Sequence, residues 1–456
     1  MNALEVGAIV VGGGIAGLAA ALELQGSVTE VYLIDASDRP GGVMRTDHVS
    51  GYVVERGPNT MQLRGPSRAF LASLGQDANL LAAAPASRRR FLFREGGLQE
   101  VPLSPLGLLR SPLLSRAGKL RLLAEPFVRR GDPSGETVAE FSARRLGKEV
   151  LEALIGPFLT GIYAGDEREL GVEAVFGALA EHERRYGSIA LGLLRSAFGR
   201  GGSTGVRGTF SAANGLGPFA RRLAEQLIEP PALESEVLSV HRDQGHWVLR
   251  IVGPGGGRAI KSRRLVLATP AREAARLLEG VCQPASERLA EIRYAPIVSV
   301  ALGTKPQDVS RPIEGFGFLV PREAGLDLLG CLFMSQLFPR RAPQGSELLQ
   351  CMLGGVRWPE AVDLPDDLLT SRIRRDLDRA LGLRGDPQIL SVARWPRAVP
   401  QPDRHHVERV ARIRESIAAL SGLALAGSYL DGVGISDALA SGLRAGREAH
   451  ESARAP

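Results

Sequence analysis

The stretch AIVVGGGIAGLAAALEL at 8–24 decides the fold. A short apolar run is followed at once by the glycine turn GGGIAG at 12–17, and the alanine- and leucine-rich residues after it open a helix. Strand, glycine turn and helix in this order are the context in which G-x-G-x-x-G predicts a dinucleotide site. Gly12 permits the tight turn, Gly14 lets the backbone approach a pyrophosphate, and Gly17 lets the helix pack close to the strand.

A second apolar run supports this interpretation. VYLI at 31–34 ends at Asp35, which lies 35 − 17 = 18 residues beyond Gly17. A carboxylate at this distance can accept hydrogen bonds from an adenosine ribose, and the diphosphate then lies at the positive end of the helix. The alternative is a glycine turn in some other α/β protein.

Bulk composition indicates a globular enzyme. The chain has 456 residues, of which 44% are apolar, and this length favours about three domains, or two with insertions. No run of about 18 apolar residues predicts a membrane span, and no leader segment is evident, so we expect a cytoplasmic chain. The three cysteines (Cys282, Cys331 and Cys351) and seven scattered histidines predict neither a disulfide framework nor a metal site.

The net charge of +6 comes from arginines spread along the chain, which is typical of a solvated surface rather than of nucleic-acid binding. One denser segment, LGLLRSPLLSRAGKLRLLAEPFVRR at 106–130, alternates leucines with basic residues. This pattern suits peripheral contact with an anionic membrane, on its inner face, or the mouth of a passage for an acidic, apolar substrate. A core-facing helix with solvated arginines is the alternative.

The end of the chain indicates the cofactor. LALAG at 423–427 predicts a strand, and DGVG at 431–434 leads into a helix. This second helix start would lie beside the nucleotide sheet, and in flavoproteins such a helix faces the isoalloxazine, where its dipole favours negative charge on the reduced ring. NAD enzymes usually complete their site within one contiguous domain, so the separation favours FAD. A purely structural strand–helix junction is the alternative.

We therefore predict a discontinuous α/β fold. A largely helical stretch is expected at 66–198 and a flexible glycine-rich interruption at 199–208. Strands are expected at 237–240, 247–251 and 265–268 and across 298–353, and a helix at 368–381. The predicted domains are a Rossmann-type FAD-binding domain (1–65, about 205–272 and 405–456), a helical and membrane-contacting insertion (about 85–200), and a substrate-binding domain with a mixed sheet (about 66–84 and 273–404).

Further motifs resemble one family. They are DRPGG at 38–42, GPNT at 57–60, TGIYAGD at 160–166, YAPI at 294–297, GFGFLVP at 315–321, RWP at 394–396 and GVGI at 432–435. Together with the glycine turn they follow the order of the protoporphyrinogen oxidase family over nearly the whole chain. The resemblance implies an FAD enzyme of haem or chlorophyll biosynthesis that removes six electrons from protoporphyrinogen IX to give protoporphyrin IX, with dioxygen reduced to hydrogen peroxide.

The resemblance also implies roles for particular residues. Asn59 would lie near the flavin and orient a pyrrole N–H, and Gly161 would leave room for the macrocycle. Leu319 and Met352 would lie on the two faces of the tetrapyrrole. Arg90 would pair with a propionate, because a guanidinium fork suits a carboxylate, unless the neighbouring Arg89 takes that role.

Residues implied to bind FAD are Gly12, Gly13, Gly14, Ile15, Ala16, Gly17, Asp35, Ala36, Arg39, Gly41, Gly42, Val43, Gly57, Pro58, Asn59, Thr60, Val237, Trp395, Val433, Gly434 and Ile435. The family more often has glutamate at the place of Asp35. Ser436 and Ala438 also depart from its pattern beyond Ile435, and no cysteine lies there, so non-covalent FAD is expected.

Alternatives remain at this stage. Coproporphyrinogen III oxidation is the sister activity, and Asn59, where that group often has aspartate, favours protoporphyrinogen. An amine oxidase would want an aromatic cage, and only 5% of the chain is aromatic. A flavin or porphyrin carrier without turnover is a further alternative. The family is often dimeric, so a homodimer is expected.

Overall fold

The computed structural model describes residues 3–63, 65–198 and 208–454. Their strands are β1 Leu4–Glu5, β2 Ala8–Val11, β3 Val31–Ile34, β4 Thr46–Val49, β5 Tyr52–Glu55, β6 Met61–Gln62, β7 Leu80–Ala82, β8 Phe91–Arg94, β9 Gly97–Glu100, β10 Thr209–Ala212, β11 Glu236–Asp243, β12 His246–Gly253, β13 Gly256–Ser262, β14 Leu265–Leu267, β15 Tyr294–Thr304, β16 Gly317–Leu319, β17 Leu328–Phe333, β18 Glu347–Gly354, β19 Gln388–Pro400 and β20 Leu423–Leu425.

The helices are α1 Ile15–Gln25, α2 Gly65–Ser73, α3 Pro105–Arg110, α4 Arg116–Leu123, α5 Val138–Arg145, α6 Lys148–Val150, α7 Gly156–Tyr163, α8 Val172–Tyr186, α9 Ile189–Phe198, α10 Leu216–Ala224, α11 Ala271–Leu278, α12 Gln283–Ala290, α13 Met334–Leu337, α14 Asp366–Leu381, α15 His406–Ala418, α16 Ser428–Asp431 and α17 Ile435–Ser452. A π-helical turn, Leu151–Ile155, leads into α7.

A parallel sheet with the order β20-β14-β2-β3 forms the nucleotide half of the molecule. Alternate residues of its strands face two different cores. One core packs against α1, α10 and α17, and the other packs against β11–β13 and helices α11, α12 and α15. The predicted Rossmann-type arrangement is confirmed, and β20 near the end of the chain lies in the same sheet as β2.

Glycines allow the backbones of this half to approach closely. Gly12 has a φ of +108°, and a Cβ on it would lie 2.5 Å from the Ala268 carbonyl oxygen. A Cβ on Gly17 would overlap the Gly12 carbonyl oxygen, and one on Gly442 would overlap that of Ala16. Helix α17 therefore packs on α1 with no side chain between them at this point.

The second half is a seven-stranded sheet with the order β19-β15-β18-β17-β16-β8-β9. The pairing is antiparallel except between β16 and β8. Helix α14 covers one face, where Phe318, Cys331 and Cys351 belong to the same core as its Ile373. On the other face, Tyr52 and Val54 of β5 pack against Ala301.

The expectation of a largely helical stretch at 66–198 is confirmed at its start by α2 but is wrong for residues 80–100. Residues 80–82, 91–94 and 97–100 are strands β7, β8 and β9. Glu95 and Gly96 both have positive φ, 54° and 73°, as the turn of a two-residue hairpin requires. Strands β8 and β9 extend the seven-stranded sheet, so the helical region begins at Pro105. The predicted interruption at 199–208 lies outside the described residues except for Gly208.

Buried charge holds the helical region together. Glu125 is 2% exposed and forms an ion pair with the buried Arg145. The same carboxylate accepts hydrogen bonds from the backbone N–H groups of Ile189 and Ala190 at 2.9 and 3.1 Å, so it caps the N-terminus of α9. Within the described ranges, we find no helix whose length and hydropathy would let it cross a bilayer.

The contact between α1 and α17 leads to a stability prediction. We expect Gly442→Ala to destabilise the protein by about 2 kcal/mol, because the new methyl group must displace the α1 backbone. Gly446→Ala is the matched control in the same helix, since its nearest contacts, the Ala20 carbonyl oxygen and Glu23 Cβ, lie at 3.0 Å, whereas the Ala16 carbonyl oxygen lies 2.0 Å from a Cβ on Gly442. Urea denaturation measures both variants, and equal midpoints for the two would contradict the proposed backbone contact.

Candidate functional site

The glycine turn forms an open cradle at the carboxyl edge of the parallel sheet. A Cβ on Gly14 would meet no atom within 4 Å, so this backbone faces free space. Gly41 donates its N–H to the Gly13 carbonyl oxygen at 2.8 Å, and a Cβ on Gly42 would lie 3.3 Å from Gly14 Cα. The 41–42 segment therefore lies directly against the turn, and the exposed backbone between them suits a phosphate group.

Asp35 is fixed at one end of this cradle. Its Oδ2 accepts the Gly13 N–H and its Oδ1 accepts the Ser37 N–H at 2.7 Å. A carboxylate has further lone pairs, so each oxygen can still accept a ribose hydroxyl. Ser235 donates its N–H to the Asp35 carbonyl oxygen at 2.9 Å, which brings the 235–237 segment to this end. The side chain of Val237 is itself 4% exposed and packs in the core.

Positive charge gathers beside the cradle. Burial is the main cause that lowers the pKa of Arg39, and the charge of Arg45 is the second. The charges of Arg56 and Arg221 lower the same pKa further. Asp38 lies 3.8 Å from the Arg39 guanidinium and offsets part of this repulsion. A cluster of like charges of this kind is stabilised by an anion such as a diphosphate.

The second helix start lies next to the helical region. Gly434 precedes α17 and donates its N–H to Asp437 Oδ2 at 3.2 Å. Val433 packs against the core that contains Tyr163 of α7. Burial is the main cause that raises the pKa of Tyr163 to about 12, and the charge of Asp437 is the second cause. The positive end of α17 is thus adjacent to the helix that carries Gly161.

The 56–60 turn joins the two halves. Trp395 of β19 donates its Nε1–H to the Arg56 carbonyl oxygen at 2.8 Å. Val43 is an apolar side chain that is 48% exposed. Asn59 is 8% exposed, and its Oδ1 is buried with no hydrogen-bond partner among the described residues. Buried acceptors are nearly always paired, so this oxygen is suited to accept a hydrogen bond from a bound cofactor or substrate.

Two of the predicted substrate residues, Leu319 and Met352, lie on the sheet face turned away from α14. Leu319 pairs with Gly330 across β16 and β17, and Gly330 pairs with Met352 across β17 and β18. Cross-strand partners project from the same face, so Leu319 and Met352 flank Gly330. Ser299 follows Met352 in the same row. We call Leu319, Gly330, Met352 and Ser299 the site row.

Arg89 and Arg90 differ sharply. Arg89 binds Glu100 at 3.0 Å and also pairs with Glu314. The Arg90 guanidinium lies 4.7 Å from the centre of the Phe316 ring, and its Nε is buried without a partner among the described residues. Burial lowers the pKa of Arg90. Arg90, rather than Arg89, is available for an external carboxylate.

The structure brings together most of the predicted residues. The two glycine-led helix starts share one sheet edge, Trp395 contacts the 56–60 turn, and Gly161 contacts Leu319. Two residues near the site were not predicted from the sequence. One is Arg45, whose guanidinium lies 5.4 Å from the centre of the Trp395 ring, and the other is Gly330. A lone glycine within the apolar run LLGCLF could have indicated a close approach.

These residues fit FAD. The open Gly14 backbone and the arginine cluster suit the diphosphate, Asp35 suits the ribose, and the exposed Val43 and unpaired Asn59 Oδ1 suit the isoalloxazine end. The assignment of individual residues to the cofactor stays a prediction.

Comparison with known proteins agrees with this geometry. Residues 15–450 match the family model described as flavin containing amine oxidoreductase. Chloroplastic protoporphyrinogen oxidase of Nicotiana tabacum is 30% identical over 95% of this chain and 83% of its own length. Coproporphyrinogen III oxidase of Bacillus subtilis (strain 168) is 28% identical over 95% of this chain and 96% of its own. A crystal structure from Exiguobacterium sp. 255-15, provisionally named a protoporphyrinogen oxidase, has a TM-score of 0.81 and 25% identity, covering 98% of both chains.

Proposed function

The chain belongs to the family of flavin containing amine oxidoreductases, and we propose that it oxidises protoporphyrinogen IX to protoporphyrin IX. It is an FAD-dependent oxidoreductase that acts on a porphyrinogen in haem biosynthesis. Protoporphyrinogen IX as the preferred substrate and dioxygen as the electron acceptor are our proposals. Assembly as a homodimer stays a prediction.

One observation carries the choice of substrate. Leu319 and Met352 lie on one apolar sheet face, and Asn59 Oδ1 and Arg90 Nε are buried with no hydrogen-bond partner among the described residues. A porphyrinogen is a large apolar macrocycle with pyrrole N–H donors and propionates. It therefore matches Asn59 Oδ1, Arg90 and the apolar face in chemistry.

The chain's own groups mainly orient the substrate. FAD, when bound, supplies the hydride acceptor, which dioxygen returns to the oxidised form. Asn59 Oδ1 accepts a pyrrole N–H and so directs the neighbouring methylene carbon towards the cofactor. Arg90 binds a propionate and fixes the rotation of the ring. Because conjugated pyrroles stabilise the cation that remains, position contributes more than a general base.

Coproporphyrinogen III is the second candidate. It carries four propionates rather than two, and the exposed Arg88 lies two residues from Arg90. The relatives include oxidases named for each substrate. Asn59 favours protoporphyrinogen IX, because the oxidases that act on coproporphyrinogen often have aspartate there.

The direct test is anaerobic mixing of the flavin-loaded protein with each porphyrinogen. We expect protoporphyrinogen IX to bleach the flavin absorbance faster than coproporphyrinogen III, and air to restore it with release of peroxide and a fluorescent porphyrin. Faster bleaching by coproporphyrinogen III would show that this molecule, and not protoporphyrinogen IX, is the preferred substrate. Porphyrin retention without bleaching would instead indicate a carrier.

Arg90→Ala tests the propionate contact. We expect its KM to rise about tenfold or more, because a buried charge-assisted hydrogen bond contributes about 1.5–3 kcal/mol, while the flavin content stays unchanged. Arg89→Ala is the matched control, since Glu100 and Glu314 already occupy that guanidinium. Steady-state kinetics of the two variants compares their KM values. A normal KM for Arg90→Ala would remove this residue from the substrate site.

The helical region supports a proposal of membrane contact. Phe127 is 90% exposed. Helices α4 and α9, which contact the 125–127 turn, carry further exposed leucines, and two more lie at and just before α3. The exposed side chains are Leu103, Leu106, Leu120, Leu123, Leu191, Leu193 and Leu194. Basic residues accompany them on the same helices, including Arg116 and Lys119. Such a surface suits the interface of an anionic bilayer.

Sedimentation with phosphatidylglycerol vesicles tests this surface. We expect Phe127→Ser to reduce the bound fraction several-fold, because the largest exposed ring is lost from the apolar surface. Ile228→Ser is the control, since Ile228 is 73% exposed but lies in the nucleotide half. Equal binding by the wild type and Phe127→Ser would refute contact through this surface.

A further inference from the structure

Helices α1 and α17 run parallel to each other along their contact. A Cβ on Gly442 would lie 2.0 Å from the Ala16 carbonyl oxygen, and a Cβ on Gly446 would lie 3.0 Å from that of Ala20. The contact therefore advances by about one helical turn in the same direction on both helices. Their N-termini point to the same edge of the parallel sheet.

The two helices nevertheless begin at different levels. In the register of these contacts Ser441 is level with Ile15, the first residue of α1. Helix α17 begins at Ile435, which is 441 − 435 = 6 residues earlier, and a rise of about 1.5 Å per residue makes this roughly 9 Å. The start of α17 therefore lies beyond the glycine cradle. The ribityl chain of FAD, which joins the diphosphate to the isoalloxazine, spans a gap of this size.

A carboxylate lies at this second helix start. Asp437 Oδ2 accepts the Gly434 N–H at 3.2 Å. A Cβ on Gly432 would lie 2.7 Å from the same oxygen, and a Cβ on Gly434 would lie 2.9 Å from it. The two glycines therefore let the carboxylate fold back over the turn. Burial is the main cause of the raised pKa of Tyr163, and the charge of Asp437 is the second, so the carboxylate lies near α7, the helix that carries Gly161.

Asp437 differs from Asp431, the acid on the preceding short helix α16. Asp431 pairs with Arg414 at 2.7 Å and also with Arg444, so two guanidinium groups offset its charge. In the part of the chain that the structure describes, no lysine or arginine forms an ion pair with Asp437. The charge of Asp437 is therefore balanced mainly by the partial positive charge at the start of α17.

We propose that Asp437 sets the reduction potential of the bound FAD by offsetting the positive end of α17. The positive end of a helix stabilises negative charge on the reduced ring and so raises the potential. A carboxylate at the same place opposes that charge and lowers the potential, which favours the return of electrons from the flavin to dioxygen. The inference rests on the part of the proposed function that places the isoalloxazine at α17, and not on the choice of porphyrinogen.

Asp437→Asn tests the charge alone, because the amide oxygen of asparagine can still accept the Gly434 N–H. We expect the two-electron equilibrium of the bound flavin to shift about tenfold towards the reduced form, which raises the midpoint potential by about 30 mV. A unit charge roughly 10 Å away has an effect of this order at an effective dielectric constant of about 20. Reductive titration of the flavin-loaded protein against a reference dye measures the potential and needs no porphyrinogen. Reoxidation of the reduced flavin by air should become slower.

Three further variants separate charge from helix capping. Asp437→Ser also removes the charge and should raise the potential as Asp437→Asn does. Asp437→Glu keeps the charge and should stay near the wild-type potential. Asp431→Asn is the matched control, because it removes a carboxylate of the same segment whose charge is already offset by Arg414 and Arg444. It should shift the potential much less.

The outcomes separate this inference from the proposed function. If the wild type binds no FAD, the proposed function fails and the role of Asp437 fails with it. If the wild type binds FAD but both neutral variants keep its potential, or Asp431→Asn shifts the potential as far, only the role of Asp437 is overturned. Loss of flavin from both neutral variants would overturn it too, because the carboxylate would then hold the cofactor or the helix start rather than set the potential.

Discussion

Direct backbone contact between α1 and α17 is the constraint on which the rest of the site depends. Gly442 rests on the Ala16 carbonyl oxygen, and Gly17 rests on that of Gly12. These contacts bring the N-termini of two helices, one from each end of the chain, to the same edge of one sheet. Each helix start presents partial positive charge. A cofactor with a diphosphate at one end and an electron-accepting ring at the other needs both.

A buried ion pair joins this nucleotide half to the substrate sheet. Glu55 at the end of β5 lies 2.9 Å from Arg341, and both are almost fully buried. The Glu55 carboxylate also accepts hydrogen bonds from the Thr46 hydroxyl at 2.7 Å and from the Leu216 N–H at 2.9 Å. Burial raises the pKa of Glu55 although Arg341 opposes it. Such a pair costs desolvation but specifies one arrangement, and here it fixes the strand that leads into Asn59.

The sequence predicted what depends on local pattern. The glycine turn, Asp35 and the final strand–helix element each have a short signature, and the fold places them together as expected. The β8–β9 hairpin was missed because β8 pairs with Leu319 and Phe318, more than two hundred residues away. The choice between Arg89 and Arg90 also needed the fold, since Glu314 reaches Arg89 only through tertiary contact.

The chemistry of the site row explains why no catalytic acid or base was recognisable in the sequence. Leu319, Gly330, Met352 and Ser299 do not titrate in the physiological range, and neither does the Asn59 amide. Arg90 is the charged residue that we propose binds the substrate beside the site row, and its guanidinium lies against the Phe316 ring. In the proposed function, this neutral row with one guanidinium beside it would control where the macrocycle lies without controlling its protons. For a reaction whose product cation is stabilised by its own pyrroles, that control of position is the part the protein must supply.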